Sequence, residues 1–248
     1  MESPTQQPVS RALRVGILLG GVGSAMGLYT VVNFALAETA PTRTLPTAID
    51  NLVPFCAEAM VLYGGIYALA LTPLCLLADR RVLMRGALAY GVLLLSALPF
   101  WVFWPVTVPR DPVPVHDLWT WGVAFMRFVD PPANCFPSMH VGETVLASLL
   151  CWRVDRATGT VVGILAVMVW WSTIALQQHW FLDGLFGAAL AVGADTLVFR
   201  WRALPAAAYT RQSRWALLWA GGLYLAQFLI LACPWWLGLD TLLPIDAG

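Results

Sequence analysis

The strongest constraint on this chain is a succession of apolar runs, several of which reach the roughly 20 residues that carry a helix across a bilayer. Of its 248 residues 59% are hydrophobic and 11% charged, whereas a soluble domain carries about 25% charged residues. A soluble fold of this length can bury one or two such helices, but not seven. The chain therefore reads as an all-α, polytopic transmembrane bundle in a single domain over residues 1–248. About seven spans run from Leu13 to Ala37, Val53 to Ala78, Val82 to Trp104, Ser138 to Trp152, Thr160 to Gln178, His179 to Phe199 and Trp215 to Leu237. The fourth is short, and neither charge nor Pro marks the break between the fifth and sixth. Arg11, Arg14 and the Ala35-Leu36-Ala37 site would also suit a cleaved leader. The run from Val15 to Leu36 is longer than a leader needs, which favours a first span.

The charges set orientation. Net charge is zero, so no pull toward nucleic acid follows. All the basic residues are Arg, and without Lys a retinal Schiff base is excluded. Arg11, Arg14, Arg80, Arg81, Arg85, Arg153, Arg156, Arg200, Arg202, Arg211 and Arg214 fall on one side by alternation. Only Arg43, Arg110 and Arg127 fall on the other, beside Asp240 and Asp246 of the tail. Positive charge marks the cytoplasmic face, which places the N-terminus inside. The five Cys show no CxxC pair or zinc spacing, and Cys135 alone adjoins a motif.

The loop from Pro105 to Pro137 lies on the outer side and is rich in Pro. Its stretch from His116 to Val129 carries Trp119, Trp121, Phe125 and Phe128 and predicts a short interfacial helix. Beyond it come Cys135-Phe136-Pro137-Ser138-Met139-His140 and, later, His179-Trp180-Phe181-Leu182-Asp183. Both His sit at the outer surface and each begins a helix. Pro137 suits a first helical turn and Ser138 a cap. Unpaired N–H groups with a hydroxyl and an imidazole suit phosphate. His179 and Asp183 share a helix face at i, i+4, so Asp183 can orient one ring nitrogen and leave the other free. Gly184 and Gly187 permit close approach of a neighbouring helix.

Pro137-Ser138-x-His140 followed by His179-x-x-x-Asp183 resembles the type 2 phosphatidic acid phosphatase superfamily over roughly Pro105 to Gly187. Ser172 stands seven before His179, as that family's third motif asks. Thr173 replaces the motif's Arg, and the Lys-containing first motif is absent; Val108-Pro109-Arg110 is its nearest candidate. These departures look more like the branch of inositol-phosphorylceramide and sphingomyelin synthases. The resemblance implies a six-helix core plus one span, with the active-site elements in 105–187. It further implies a lipid phosphatase or phosphotransferase at the extracytoplasmic face, needing neither metal nor cofactor. Its substrate would be a lipid phosphate, with water or an alcohol lipid as acceptor. His179 would attack phosphorus to form a phosphohistidine, His140 would serve as general acid and then base, and Asp183 would orient His179. Ser138 and the helix N–H groups would hold phosphate, with Arg110 or Arg127 supplying positive charge. Beside the resemblance, Ser172 is a candidate second phosphate contact, and Glu143, one turn from His140, either tunes it or pairs with a buried polar group.

Other readings compete. Glu58, Glu143, Asp183 and Asp195 could line a transport path across the membrane, which requires them to be continuous. His140 and His179 could clasp haem, although they sit at the edge of the bundle. His116 reads as an interfacial helix start, and Arg127 as a headgroup anchor. Asp195 is expected to pair with Arg200 near the cytoplasmic end. The Arg asymmetry predicts an outer C-terminus: a reporter fused after Gly248 should respond to the outer compartment, and a cytoplasmic response would overturn the span count.

Overall fold

The computed structural model describes residues 7–39, 41–200, 204, 208–209 and 215–238. Arg202, Arg211, Arg214, Asp240 and Asp246 lie outside them, so that part of the charge asymmetry has no structural counterpart here. Among the described residues the chain is helical, with no strand beyond a single bridge between Pro8 and Asp79. Helix α1 spans Arg11–Ala37 and contains a π-helical stretch, Ile17–Val22. Helix α2 spans Ala57–Leu76, α3 Arg80–Phe103, α4 Leu118–Val129, α5 Met139–Trp152, α6 Arg156–Ala175, α7 Phe181–Arg200 and α8 Trp215–Trp236.

Five of these, α1, α2, α3, α6 and α7, are long and apolar enough to cross a membrane. Helix α8 coincides with the seventh expected run. Helix α5 has only 14 residues, about 21 Å at 1.5 Å per residue, against a hydrocarbon core of about 30 Å. Its surroundings explain how so short a helix is accommodated. It packs against α2, α3, α6 and α7, and Val141, Leu146, Ala147, Leu150 and Cys151 are fully buried. A helix sheathed in protein does not need to match the lipid. The outward faces of the surrounding helices are apolar, with Leu19, Val31, Leu95 and Val167 more than half exposed, as a lipid-facing surface requires.

Helix ends follow from local chemistry. Asp79, Ser138 and Asp155 cap α3, α5 and α6 through their side chains. Pro137 stands just before the Ser138 cap rather than in the first turn. Helix α4 starts two residues later than expected, in a capping box between Asp117 and Thr120, which leaves His116 outside it. Trp121 and Val123 are buried against the bundle, so α4 is partly a packing element. The unmarked break after α6 is made by Gln177 at φ 56° and by the N–H groups of Gln178 and His179, which both donate to the Thr173 carbonyl at 2.8 and 3.1 Å.

The bundle has two chemically distinct ends. At one, Arg14 binds the Leu74 and Leu77 carbonyls, Arg81 pairs with Asp79, and Arg153 grips Asp195 at 2.6 and 3.1 Å. The expected Asp195–Arg200 pair is thus replaced: Arg153, at the end of α5, reaches across to α7. At the other end lie the N-termini of α5 and α7, joined by a bond from the Ser138 N–H to the Asp183 carbonyl at 2.9 Å.

Helices α5 and α7 meet at Gly142 and Gly187. A Cβ on Gly142 would lie 3.1 Å from the Gly187 carbonyl oxygen, and one on Gly187 would collide with the Ser138 carbonyl. Gly184 similarly faces the Trp170 indole. The close approach expected from Gly184 and Gly187 is therefore present. Gly187→Ala is expected to destabilise the protein by about 1–3 kcal/mol, the usual range for overpacking, while the exposed Gly193→Ala, with open space around it, leaves stability nearly unchanged. Thermal unfolding in detergent compares the two.

Candidate functional site

The N-terminus of α5 places His140 in its first turn, and the Leu176–Trp180 turn places His179 just ahead of α7. Both rings are buried, and His140 Nδ1 lies 2.8 Å from His179 Nε2. His179 Nδ1 lies 2.9 Å from the Cys135 carbonyl. A carbonyl only accepts, so His179 carries its proton on Nδ1 and presents a bare Nε2. The proton in the bond between the rings then belongs to His140 Nδ1. Burial pushes His179 down to about 4, so near neutral pH it is uncharged and its Nε2 lone pair is free for bonding.

Asp183 occupies the first turn of α7, where a carboxylate is favoured by the helix dipole. Its Oδ2 is 3.4 Å from His179 Nδ1 and accepts the Trp180 N–H at 2.8 Å. The closer partner of Nδ1 is the Cys135 carbonyl, so the two groups hold that face of the ring together. Asp183 Oδ1 is buried without a hydrogen-bond partner. The Cys135 thiol is buried and its pKa is raised by that burial, which keeps it protonated; the motif uses this residue through its backbone.

The expected phosphate ligands divide. Ser138 accepts the Val141 N–H at 3.4 Å as the cap of α5, and its hydroxyl proton remains available to an anion. Ser172 is fully buried and donates to the Val169 carbonyl of its own helix at 2.7 Å, so it is committed to the backbone. Arg110 donates to the carbonyls of Gln177 and Asp130 at 3.2 and 2.9 Å and to Gln178 Oε1 at 2.7 Å. Arg127 donates to the Asp111 carbonyl and to Gln177 Oε1 at 3.0 Å; burial, with Arg110 nearby, lowers it to about 10. Both arginines brace the turn carrying His179, so Arg127 does more than anchor headgroups.

Sequence reasoning missed several participants. Tyr63 Oη is 3.2 Å from His140 Nε2, and Asp130 Oδ2 is 3.9 Å from the same nitrogen. His140, which has no carboxylate at helical spacing, thus gains one from the end of α4. Asp50 accepts the Phe181 N–H at 2.7 Å at the start of α7. The only hint of Asp130 was an acid followed by Pro131-Pro132 shortly before the Ser138 motif.

The rival readings fare poorly. An apolar cavity of about 270 Å³ between α1, α2, α3 and α5 has His140 and Glu143 on its wall but none of Glu58, Asp183 and Asp195. Glu58 is exposed, and Asp195 is paired at the opposite end. The four acids therefore do not form one path. Two His clasping a haem iron from opposite sides would need their nitrogens about 4 Å apart, at about 2.0–2.1 Å per metal–nitrogen bond, and the rings stand at 2.8 Å.

Residues 86–207 match the PAP2 superfamily. The match begins within α3 and contains Arg110, Asp130, His140, His179 and Asp183. A protein of Escherichia coli (strain K12), provisionally named undecaprenyl-diphosphatase YbjG, is 27% identical over 196 residues, covering 77% of this chain and 89% of that protein. No solved structure matches the chain significantly. The apolar spanning helices support an integral membrane protein, and the two matches liken its central segment to that superfamily.

Arg110→Ala is expected to lower phosphate release by about 10-fold to 1000-fold, the scale of single electrostatic contacts. Arg110→Lys should restore it in part, because Lys cannot reproduce the three-way donation. Wild-type rates in Arg110→Ala would pass the role to Arg127.

Proposed function

We propose that this protein is a metal-independent lipid phosphate phosphohydrolase acting through a phosphohistidine on His179, with its site on the extracytoplasmic face. The observation that carries the reading is the His140–His179 contact of 2.8 Å, with His179 Nδ1 held on the Cys135 carbonyl. This leaves a neutral, oriented nucleophile facing a proton donor. Substrate phosphate would enter between the rings, near the Ser138 cap and the N–H groups of α5. His179 Nε2 forms the bond to phosphorus while the bond to the leaving oxygen breaks, the lipid alcohol's oxygen in a monophosphate or the lipid phosphate's bridging oxygen in a diphosphate, and the His140 Nδ1 proton goes to that oxygen. Water then attacks the phosphohistidine, giving its proton to His140 as the P–N bond breaks.

The cavity beside His140 is apolar and fits a hydrocarbon tail. The likeness to YbjG favours a polyprenyl diphosphate as substrate and water as acceptor. An alcohol lipid as acceptor, as in the sphingolipid synthases, is the second outcome tested below.

Two measurements check the reading. Purified protein should release phosphate from a lipid phosphate panel in EDTA; loss of activity restored by one divalent ion would count against it. Addition of diacylglycerol or ceramide should leave the products unchanged, and a phosphorylated acceptor would make the protein a transferase. Separately, His179→Ala should abolish an acid-labile phosphoenzyme with every substrate. His140→Ala should retain partial activity on nitrophenyl phosphate, because a general acid matters most for a poor leaving group. A label surviving in His179→Ala would reverse the roles.

A further inference from the structure

We propose that Asp130 is the positioning residue of His140 and that α1, through Tyr29 and Asn33, aims it. The inference rests on the phosphatase reading above and adds a carboxylate, together with a helix that lies outside the segment matching the family. Asp130 ends α4. Its N–H donates to the Met126 carbonyl at 2.8 Å, and its own carbonyl receives Arg110 at 2.9 Å. This fixes the backbone. The side chain is fixed separately: Oδ1 accepts Tyr29 Oη at 2.9 Å and Asn33 Nδ2 at 2.6 Å. Oδ2 is then left facing His140 Nε2 at 3.9 Å.

The placement of these donors on α1 is informative. Asn33 is 1% exposed and is the one buried residue of α1, a helix that otherwise turns Leu19 and Val31 outward. An amide on a lipid-facing helix is unfavourable without a partner, and Asp130 is that partner. Tyr29 also packs edge-on against Trp101 and His140, with ring centroids 5.5 and 6.5 Å apart. Helix α1 therefore reaches the site through two polar side chains one turn apart.

The chemistry follows from which nitrogen faces what. His140 Nδ1 faces His179 and, in the reaction, the leaving oxygen. Nε2 faces Tyr63 and Asp130. Burial, with His179 beside it, pushes the resting His140 down to about 4, so in the free site it is neutral; to act as general acid it takes a second proton as substrate binds, and Asp130 favours that charged form. Tyr63 can accept or donate and so favours neither strongly. Arg110, bound to the Asp130 backbone, opposes the charge, as does any proton on His179. Tyr29 faces the ring as a neutral group, and Glu143 lies one turn along α5 on the cavity side. When the Nδ1 proton passes to the departing oxygen, that of the lipid alcohol or, in a diphosphate, of the lipid phosphate, His140 becomes neutral and Asp130 stays ionised; the water proton later returns His140 to its protonated form.

The experiment compares wild type, Asp130→Asn, Tyr29→Phe, His140→Ala and the Asp130→Asn/His140→Ala double variant as full-length purified protein. Phosphate release is read from a lipid phosphate and from nitrophenyl phosphate. Asp130→Asn should lose about 100-fold to 10000-fold on the lipid phosphate, the span of general-acid effects, and much less on nitrophenyl phosphate. The alkaline limb of its pH profile should move to lower pH. In the His140→Ala background the same change should add nothing, as expected for groups acting through one another. Equal losses on both substrates with an unmoved limb, or additive losses in the double variant, would overturn the proposal. If Asp130→Asn does not fold, Tyr29→Phe is decisive: it should give a smaller loss of the same leaving-group-sensitive kind, and a loss blind to the leaving group overturns the inference. A wild type without metal-free phosphate release would sink the functional reading itself. An active wild type with an unaffected Asp130→Asn removes only the role of Asp130.

Discussion

The crossing of α5 and α7 is set by the absence of side chains at Gly142 and Gly187, which brings the two backbones into contact. The helix starts then lie side by side, tied by the Ser138 N–H and the Asp183 carbonyl. That placement puts His140 on one helix start against His179 ahead of the other. An added methyl group at the crossing would push the helix starts apart. Close packing of this kind is the main source of helix association in a membrane, where the hydrophobic effect between helices is weak.

Around this crossing, polar groups are satisfied by short-range partners. The carbonyl of Thr173 takes two N–H groups from the turn before α7. Arg110 and Arg127 hold that turn through Gln177 and Gln178. A backbone without regular secondary structure is tolerated at membrane depth only where protein covers it. The two arginines and α4 supply that cover, so the loop from Pro105 to Pro137 is part of the scaffold.

Much of this was legible in the sequence because its signals are local. The apolar runs gave the helices, Ser138 the cap of α5, the i, i+4 spacing the His179–Asp183 proximity, and Gly184 and Gly187 the close approach of neighbouring helices, though not Gly142, the partner of Gly187 in the crossing. The features that escaped depend on long-range pairing. Asp130 meets Tyr29 and Asn33 from roughly a hundred positions away, and no spacing rule records such a meeting. The Arg153–Asp195 pair replaced a nearer candidate on the same helix for the same reason: side-chain direction after packing decided it. Ser172 fits its motif by count, yet its hydroxyl bonds its own helix, because a buried serine without another acceptor turns to the carbonyl one turn back.

The hydrogen bond between His140 and His179 makes the resting site its own competitor. The nitrogen proposed as nucleophile is occupied by its neighbour's N–H, and an entering group has to replace both halves of that contact. It has to offer His140 an acceptor and His179 an electrophilic atom together. A phosphate does so, and an unphosphorylated headgroup such as a sugar or glycerol supplies only the acceptor. A neutral hydrogen bond is worth about 0.5–1.5 kcal/mol net, a threshold that a charged phosphate oxygen clears easily. On the proposed mechanism, discrimination between phosphorylated and bare lipids would thus begin before any bond to phosphorus forms, in a bond that already exists between two imidazoles.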